Sequence, residues 1–250
     1  MKSAKMSSLY WNEWTWTELR DQKPDVALLP IGSVEAHGPH LPLATDSIIS
    51  EELARRAALE LRSQRLVALI LPPLHYAITD FSKDFPGTIT VSKTTLQNTL
   101  DDIAQSLLRH RITSLCLVNS HLEPEHIAAL EEFCRSQKDL VVLFPDKTKK
   151  PWASRLTDEF KQGACHAGSY ETSLVLSTNK NLVRDNHTQL AANPTNLARL
   201  MKQGVKSFHE AGASLAYFGD PARASIEEGE RTYSILVQMI VEAVLQSRKG

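Results

Sequence analysis

Residues 31–46 read IGSVEAHGPHLPLATD, which sets Glu35, His37, His40 and Asp46 among small residues and prolines. A second stretch of the same kind, NSHLEPEH at residues 119–126, carries His121 and Glu123. Glu35/His37 and His121/Glu123 are each spaced i, i+2, which in extended backbone turns both side chains to one side. Imidazole nitrogen with carboxylate oxygen suits borderline divalent metals such as zinc or manganese, whereas calcium wants mostly oxygen and structural zinc more often uses cysteine. Two such pairs, with Asp46 able to bridge through its two oxygens, make metal ligands for two divalent ions, zinc and/or manganese. A bridged pair of ions lowers the pKa of a bound water, polarises a carbonyl and orients the two, which is the chemistry of amide hydrolysis. Either stretch alone reads as helix caps and solvated loop groups; their matched spacing favours convergent ligands.

His166 is the candidate for proton transfer, because an imidazole near neutral pKa can take a proton from the attacking water and return it to a leaving nitrogen. Glu123, besides its role as a ligand, is placed with the catalytic groups. Glu171 is read either as an acid orienting a ligand or as an alternative ligand. His40, between prolines, is read as structural or as a substrate contact, not as a ligand. Thr88, in the turn sequence FPGT, and Asn119, ahead of His121, are read as lying near substrate or behind the ligands. Trp152 reads equally as a lid over a flat substrate and as a packing residue. Trp11, Trp14 and Trp16 read as anchors of the N-terminal segment.

These side chains need a frame that brings two distant loops together. Short apolar runs alternate with segments of helical period, the signature of an α/β fold with a parallel sheet covered by helices. Residues 26–31, 67–71, 114–118 and 140–144 are apolar throughout, as strands covered on both faces are. Residues 46–62, 92–109, 125–136 and 226–246 carry helical spacing and are expected to cover the sheet. Ligands of an open parallel sheet gather beyond the carboxyl ends of its strands, and the two acid–imidazole stretches follow the first and third strands. Residues 147–168 have little apolar rhythm and are expected to cross the surface, with the basic run DKTKK at 146–150 as a solvated face.

The 250 residues are read as a single domain, 1–250. With 28 basic and 29 acidic residues the formal net charge is −1, which leaves no global basic field for nucleic acid or an anionic membrane and favours a small-molecule substrate. Cys116, Cys134 and Cys165 are too scattered for a disulfide framework, and no apolar run nears the roughly 20 residues that span a bilayer. A cytoplasmic protein is expected.

PIGSVEAHGPHLPLATD also closely resembles the signature loop of the creatininase (creatinine amidohydrolase) family. FPGT at 85–88, NSH at 119–121, HAGSYETS at 166–173 and FGDP at 218–221 occur in that family's order, so the resemblance spans roughly Pro30 to Gly229. It implies a three-layer α/β/α fold, a two-metal amidohydrolase site and a homohexamer. It also implies that Glu35 and His121 bind one ion, His37 and Glu123 the other, and that Asp46 bridges. Departures bear on the substrate: Ser120 stands where many relatives have glycine, Leu122 and Pro124 reshape the pocket floor, and Cys165 replaces a frequent acid. Glu123, two residues after His121, resembles creatininase itself rather than the glycine-rich relatives. A cyclic amide of the creatinine type is therefore expected. A formamide hydrolase acting on a ribosylated pyrimidine and a peptidase acting on a modified peptide are the alternatives within the family, and a catalytically silent metabolite-binding module is the alternative outside it.

Overall fold

In a computed structural model, which describes residues 8–249, the chain forms a four-stranded parallel sheet with helices on both faces. The strands are β1 (Val26–Ile31), β2 (Ala68–Ile70), β3 (Ser114–Asn119) and β4 (Val141–Leu143), in the spatial order β2-β1-β3-β4. The helices are α1 (Trp16–Asp21), α2 (Thr45–Ser63), α3 (Lys93–Arg109), α4 (Pro124–Ser136), α5 (Asp158–Gln162), α6 (Ser169–Asn179), α7 (Leu197–Lys202) and α8 (Ile226–Ser247).

β1 is buried along its whole length and divides its side chains between two cores. Val26 and Leu28 enter a cluster with α2, α6 and α8, while Ala27, Leu29 and Ile31 enter a cluster with α3 and α4. This is the three-layer α/β/α arrangement: helices cover both faces, and a period-2 strand supplies each layer alternately. Leu96, Leu100, Ala104 and Leu107 form the buried stripe of α3, whose Ser92 hydroxyl caps the helix by accepting the Thr95 amide (3.1 Å). Pro124 begins α4, where its missing N–H leaves no helical bond unmade.

β2 and β4 are shorter than the apolar runs that foretold them, since each has one neighbour in the sheet and only three paired residues. β1 lies between β2 and β3, paired to both in parallel, so the chain leaves β1 toward one side and β3 toward the other. That reversal opens a crevice at the carboxyl ends of β1 and β3.

Two expectations about residues 147–168 are corrected. The segment does not simply cross the surface: Leu156, Phe160 and Ala164 are buried, and a short α5 forms within it. DKTKK is not wholly solvated, because Asp146 and Lys147 are buried while Thr148, Lys149 and Lys150 are exposed. Of the N-terminal tryptophans, Trp11 packs against the α3/α4 core, whereas Trp16 is exposed. No helix among the described residues is long and apolar enough to cross a membrane, and the three cysteines are free.

Candidate metal centre

The crevice gathers Glu35 and His37 from the loop after β1, Asp46 from the first turn of α2, and His121 from the loop after β3. His166 and Glu171 come from the start of α6 and the loop before it. The six fall into three groups of mutually close ligand atoms: Glu35, Asp46 and His121; His37, Asp46 and Glu171; and Glu35, His37 and His166. Asp46 belongs to the first two. All six are buried apart from His166, which is partly so.

Each imidazole is held the same way. The Nδ1–H of His37 donates to the Glu35 carbonyl (3.2 Å), the Nε2–H of His121 to the Ile78 carbonyl (2.7 Å), and the Nε2–H of His166 to the Ala36 carbonyl (3.0 Å). The other nitrogen of each ring is thereby aimed at carboxylates. Anchoring of one ring nitrogen by a carbonyl is the usual support of a metal-binding histidine. His121 Nδ1 lies 3.1 Å from Glu35 Oε1 and 3.0 Å from Asp46 Oδ2.

His37 Nε2 tests the fit to a metal ion. It is buried, makes no hydrogen bond, and lies 3.7 Å from Glu35 Oε1, 3.6 Å from Asp46 Oδ1 and 3.5 Å from Glu171 Oε2. Those separations are long for hydrogen bonds but close to the ligand–ligand edge of a tetrahedral site, about 3.3 Å for bonds near 2.0–2.1 Å. The donor set, nitrogen and carboxylate oxygen without sulfur, fits zinc or manganese.

The cluster draws in positive charge. Burial opposes ionisation of Glu35, yet the His121, His37 and His166 rings hold its carboxyl down at about 2. Burial likewise opposes the ionised form of Asp46, and His37 and His121 hold it well below the usual range. Burial would strip the proton from His37, but Asp46, Glu171 and Glu35 raise that ring to about 10, and His121 is raised by Glu35 and Asp46 in the same way. Burial, reinforced by Asp46 and Glu35 against the pull of His37, lifts Glu171 to about 8. His166 goes the other way, to about 4, because it is buried beside Phe208 (ring centroids 4.4 Å apart) and faces the charge on His37.

Glu123 sits outside the three groups. Its Oε1 accepts the Asp80 amide (3.0 Å) and its Oε2 the Phe81 amide (3.2 Å), and burial pushes its carboxyl up to about 7 despite these bonds and the nearby His121. Asn119 bridges the His121 loop from within: its Nδ2 donates to the His121 carbonyl (2.6 Å), while its Oδ1 accepts the His121 amide (3.3 Å) and the His126 Nε2–H (3.0 Å). Thr88 Oγ1 accepts the Ala36 amide (3.2 Å) and so supports the first loop. His40 is fully buried, its Nε2 2.9 Å from Thr172 Oγ1, and ties that loop to α6. Trp152 packs at the edge of the α2/α6/α8 core with the Arg155 guanidinium 4.8 Å from its ring, and it does not line the cavity.

Several supporting residues lie in the long connection from β2 to α3. Thr79 and Ser82 donate their hydroxyls to Glu35 Oε2, the latter at 3.1 Å, and the amides of Asp80 and Phe81 hold Glu123. The length of this connection, 71–92, is the only signal of them in the sequence, since structureless loops of that size are usually functional. Ser33 Oγ donates to Asp46 Oδ2 (2.7 Å). Glu159 on α5 has no sequence signature of its role: its carboxylate accepts the amides of Ser169 (3.0 Å), Tyr170 (2.9 Å) and Asp220 (2.6 Å), capping α6 from outside the helix. The site opens into a cavity of about 990 Å³ lined by Glu35, Asp46, His121, Glu123, His166 and Glu171 among others.

Residues 12–244 match the family model described as Creatininase: Creatinine amidohydrolase. A creatinine amidohydrolase of Pseudomonas putida is 27% identical over 280 residues, covering 97% of this chain and 96% of that protein. A mycofactocin precursor peptide peptidase of Mycolicibacterium smegmatis is 28% identical over 226 residues, covering 89% of this chain and 85% of the peptidase. A mutant creatininase solved in complex with creatine shares the fold with a TM-score of 0.76 at 25% identity, over 96% of this chain and 99% of that one. Creatininases solved in a manganese form and in a Zn-Zn form have TM-scores of 0.73 and 0.76 at 23% and 24% identity, each over 96% of this chain and over 99% and 98% of theirs.

Proposed function

The chain belongs to the creatininase family of hydrolases, and from that premise we propose that it is a two-metal amidohydrolase cleaving a non-peptide carbon–nitrogen bond of the cyclic-amide, creatinine type. The observation that carries this is the pair of ligand groups sharing Asp46 around the unpartnered Nε2 of His37. Glu35, Asp46 and His121 would hold one ion and His37, Asp46 and Glu171 the other. Two divalent ions there supply Lewis acidity, making water nucleophilic near neutral pH and polarising the scissile carbonyl.

The chain's own groups do the rest. His166, with its Nε2–H engaged by Ala36 and its Nδ1 3.9 Å from Glu35, is the proton acceptor in this reading, although burial and the charge on His37 hold the ring at about 4, below the near-neutral value expected from the sequence. Glu123, fixed by two backbone amides and titrating near neutrality, holds a proton on a carboxyl oxygen for the departing nitrogen. This reading moves Glu123 from the ligand role implied by the family resemblance to an acid role, and gives the ligand role to Glu171. Phe81, Phe208 and Leu122 line the same cavity and limit water around the reacting bond.

The test is a hydrolysis screen of the zinc- or manganese-loaded protein over creatinine, lactams, hydantoins and formamides. Metal-dependent turnover of a cyclic amide is expected. Failure to turn over any of them with two ions bound would overturn the reading. A peptidase is the second reading, favoured by the cavity volume, which is at the upper end of those that enclose drug-sized ligands and exceeds what creatinine alone would fill.

A further inference from the structure

α4 carries two apolar stripes. Ala129, Leu130 and Phe133 are buried in the core that α4 shares with α3. Pro124, Ile127 and Ala128, spaced i, i+3, i+4, lie on another face and line the cavity of the metal centre. Ile127 is partly buried, yet it belongs to none of the hydrophobic clusters among the described residues. A helix that only covers a sheet needs one stripe, so the second has the cavity as its partner. α7 adds Leu197 and Met201, one turn apart, and the buried rings of Phe160 and Phe208 extend the apolar lining.

The polar groups of the same wall are already engaged or hydrated. Thr148 Oγ1 donates to Asp146 (2.7 Å), Ser154 Oγ donates to the Pro151 carbonyl (2.6 Å), and Asn196 Oδ1 accepts the Arg199 amide (2.7 Å). Lys150, Lys161, Arg199 and Lys202 are exposed to solvent, and Glu131 pairs with Lys149. Among the described residues, no buried side-chain polar atom that lacks a hydrogen bond belongs to a residue lining the cavity. Away from the ligand groups, the cavity therefore leaves hydrocarbon waiting to be covered. Its volume of about 990 Å³ is that of a pocket for a drug-sized ligand, and a bare ring amide has no group to cover Ile127 or Met201.

We propose that the substrate is an amide bearing an extended hydrocarbon substituent, aliphatic or aromatic, which lies along Ile127 of α4 and Met201 of α7 while the amide meets the metal centre. The inference rests on the amidohydrolase reading and narrows its substrate class. Each apolar group that leaves water for such a wall tightens binding, and a tail held there fixes the scissile bond against the catalytic groups.

The test is calorimetric binding of straight-chain hydroxamates, from acetohydroxamate to hexanohydroxamate, to the zinc-loaded protein, with metal content and melting temperature measured for each variant. The metal-binding head is constant along the series, so only the tail varies. Affinity should rise about two- to fourfold per methylene, from partial to full burial, or roughly 15- to 250-fold from the first member to the last. Ile127→Ser and Met201→Ser should each cut that gain by roughly three- to tenfold with both ions retained, whereas Ile127→Leu should keep it within about twofold. Ile127→Ser should melt close to the parent, because Ile127 packs in no hydrophobic cluster among the described residues. Affinity that stays flat along the series, or a gain untouched by both serine variants, would overturn the proposal, as would no binding of any member at millimolar concentration. Affinity is read without turnover, so failure of the hydrolytic reading would appear separately, as absent hydrolysis with the dependence on tail length intact.

Discussion

Replacing Glu159 with glutamine should loosen the start of α6, although Glu159 belongs to none of the ligand groups. Gly168, the residue before α6, has no side chain to cap the helix, and the Glu159 carboxylate takes that role from α5. Oε1 accepts the Tyr170 amide, and Oε2 accepts those of Ser169 and Asp220. The fit is close: a Cβ at either Gly168 or Gly219 would collide with this carboxylate and with a backbone carbonyl. A glutamine has one acceptor oxygen, so at least one buried amide would face an NH2 group and go unpaired, costing about 1–3 kcal/mol. The remaining bonds lose their charge assistance, a further loss of about 1 kcal/mol each at most, because burial already raises the Glu159 carboxyl above its ordinary pKa and offsets part of the benefit of charge. The total is about 1–5 kcal/mol, or a fall of roughly 2–20 °C in Tm for a chain of this length. Urea and thermal unfolding of the metal-free protein measure it. Because Glu171 lies in the first turn of α6, metal content should also drop toward one ion per chain. A variant within about 0.5 kcal/mol of the parent, the usual range for an inconsequential surface change, and with both ions retained would refute the capping argument.

Three further perturbations probe other parts of the site. Metal binding should release protons, because His37, raised to about 10, and Glu171, raised to about 8, hold protons in the metal-free protein that coordination must displace. Both pKa values are raised, so apparent affinity should climb as pH rises toward 8, and titrations in buffers of differing ionisation enthalpy should count the protons released; a pH-independent affinity would contradict the charge assignment. Glu123→Gln should lower kcat by roughly 100-fold or more while leaving two ions bound, as expected for a proton donor rather than a ligand, and loss of an ion on metal analysis would return Glu123 to the ligand set. Gly32→Ala places a Cβ against the Ser47 backbone at the start of α2 and should destabilise by about 1–3 kcal/mol in urea unfolding, since backbone cannot give way as a side-chain tip can.

Much of the frame was legible because it rests on burial. β1 was read to its exact ends, 26–31, since a strand covered on both faces is apolar throughout, and α3 and α8 followed from their stripes of leucine, isoleucine and valine. Glu35, His37, Asp46 and His121 were legible as candidate ligands from their recurrence behind predicted strands, and the fold brings their ligand atoms together, whereas Glu123, named on the same spacing, falls outside those groups. What escaped was chemistry carried by the backbone or by common residues. The amides of Asp80 and Phe81 that hold Glu123 have no sequence signature, and neither does the hydroxyl pair Thr79 and Ser82 behind Glu35. Glu171 reads either as an acid orienting a ligand or as an alternative ligand, and it is the fold that brings its Oε2 to 3.5 Å from His37 Nε2. Lys147, in a run of charges, has the local appearance of solvated surface, yet it is buried.

The central claim, two ions sharing Asp46, is tested most directly by quantitative metal analysis of the parent and Asp46→Ala proteins after zinc or manganese loading and removal of excess. The account predicts two ions per chain in the parent and less than one in Asp46→Ala, because both ligand groups lose the shared carboxylate. One ion or fewer in the parent, or an unchanged content in Asp46→Ala, would contradict it.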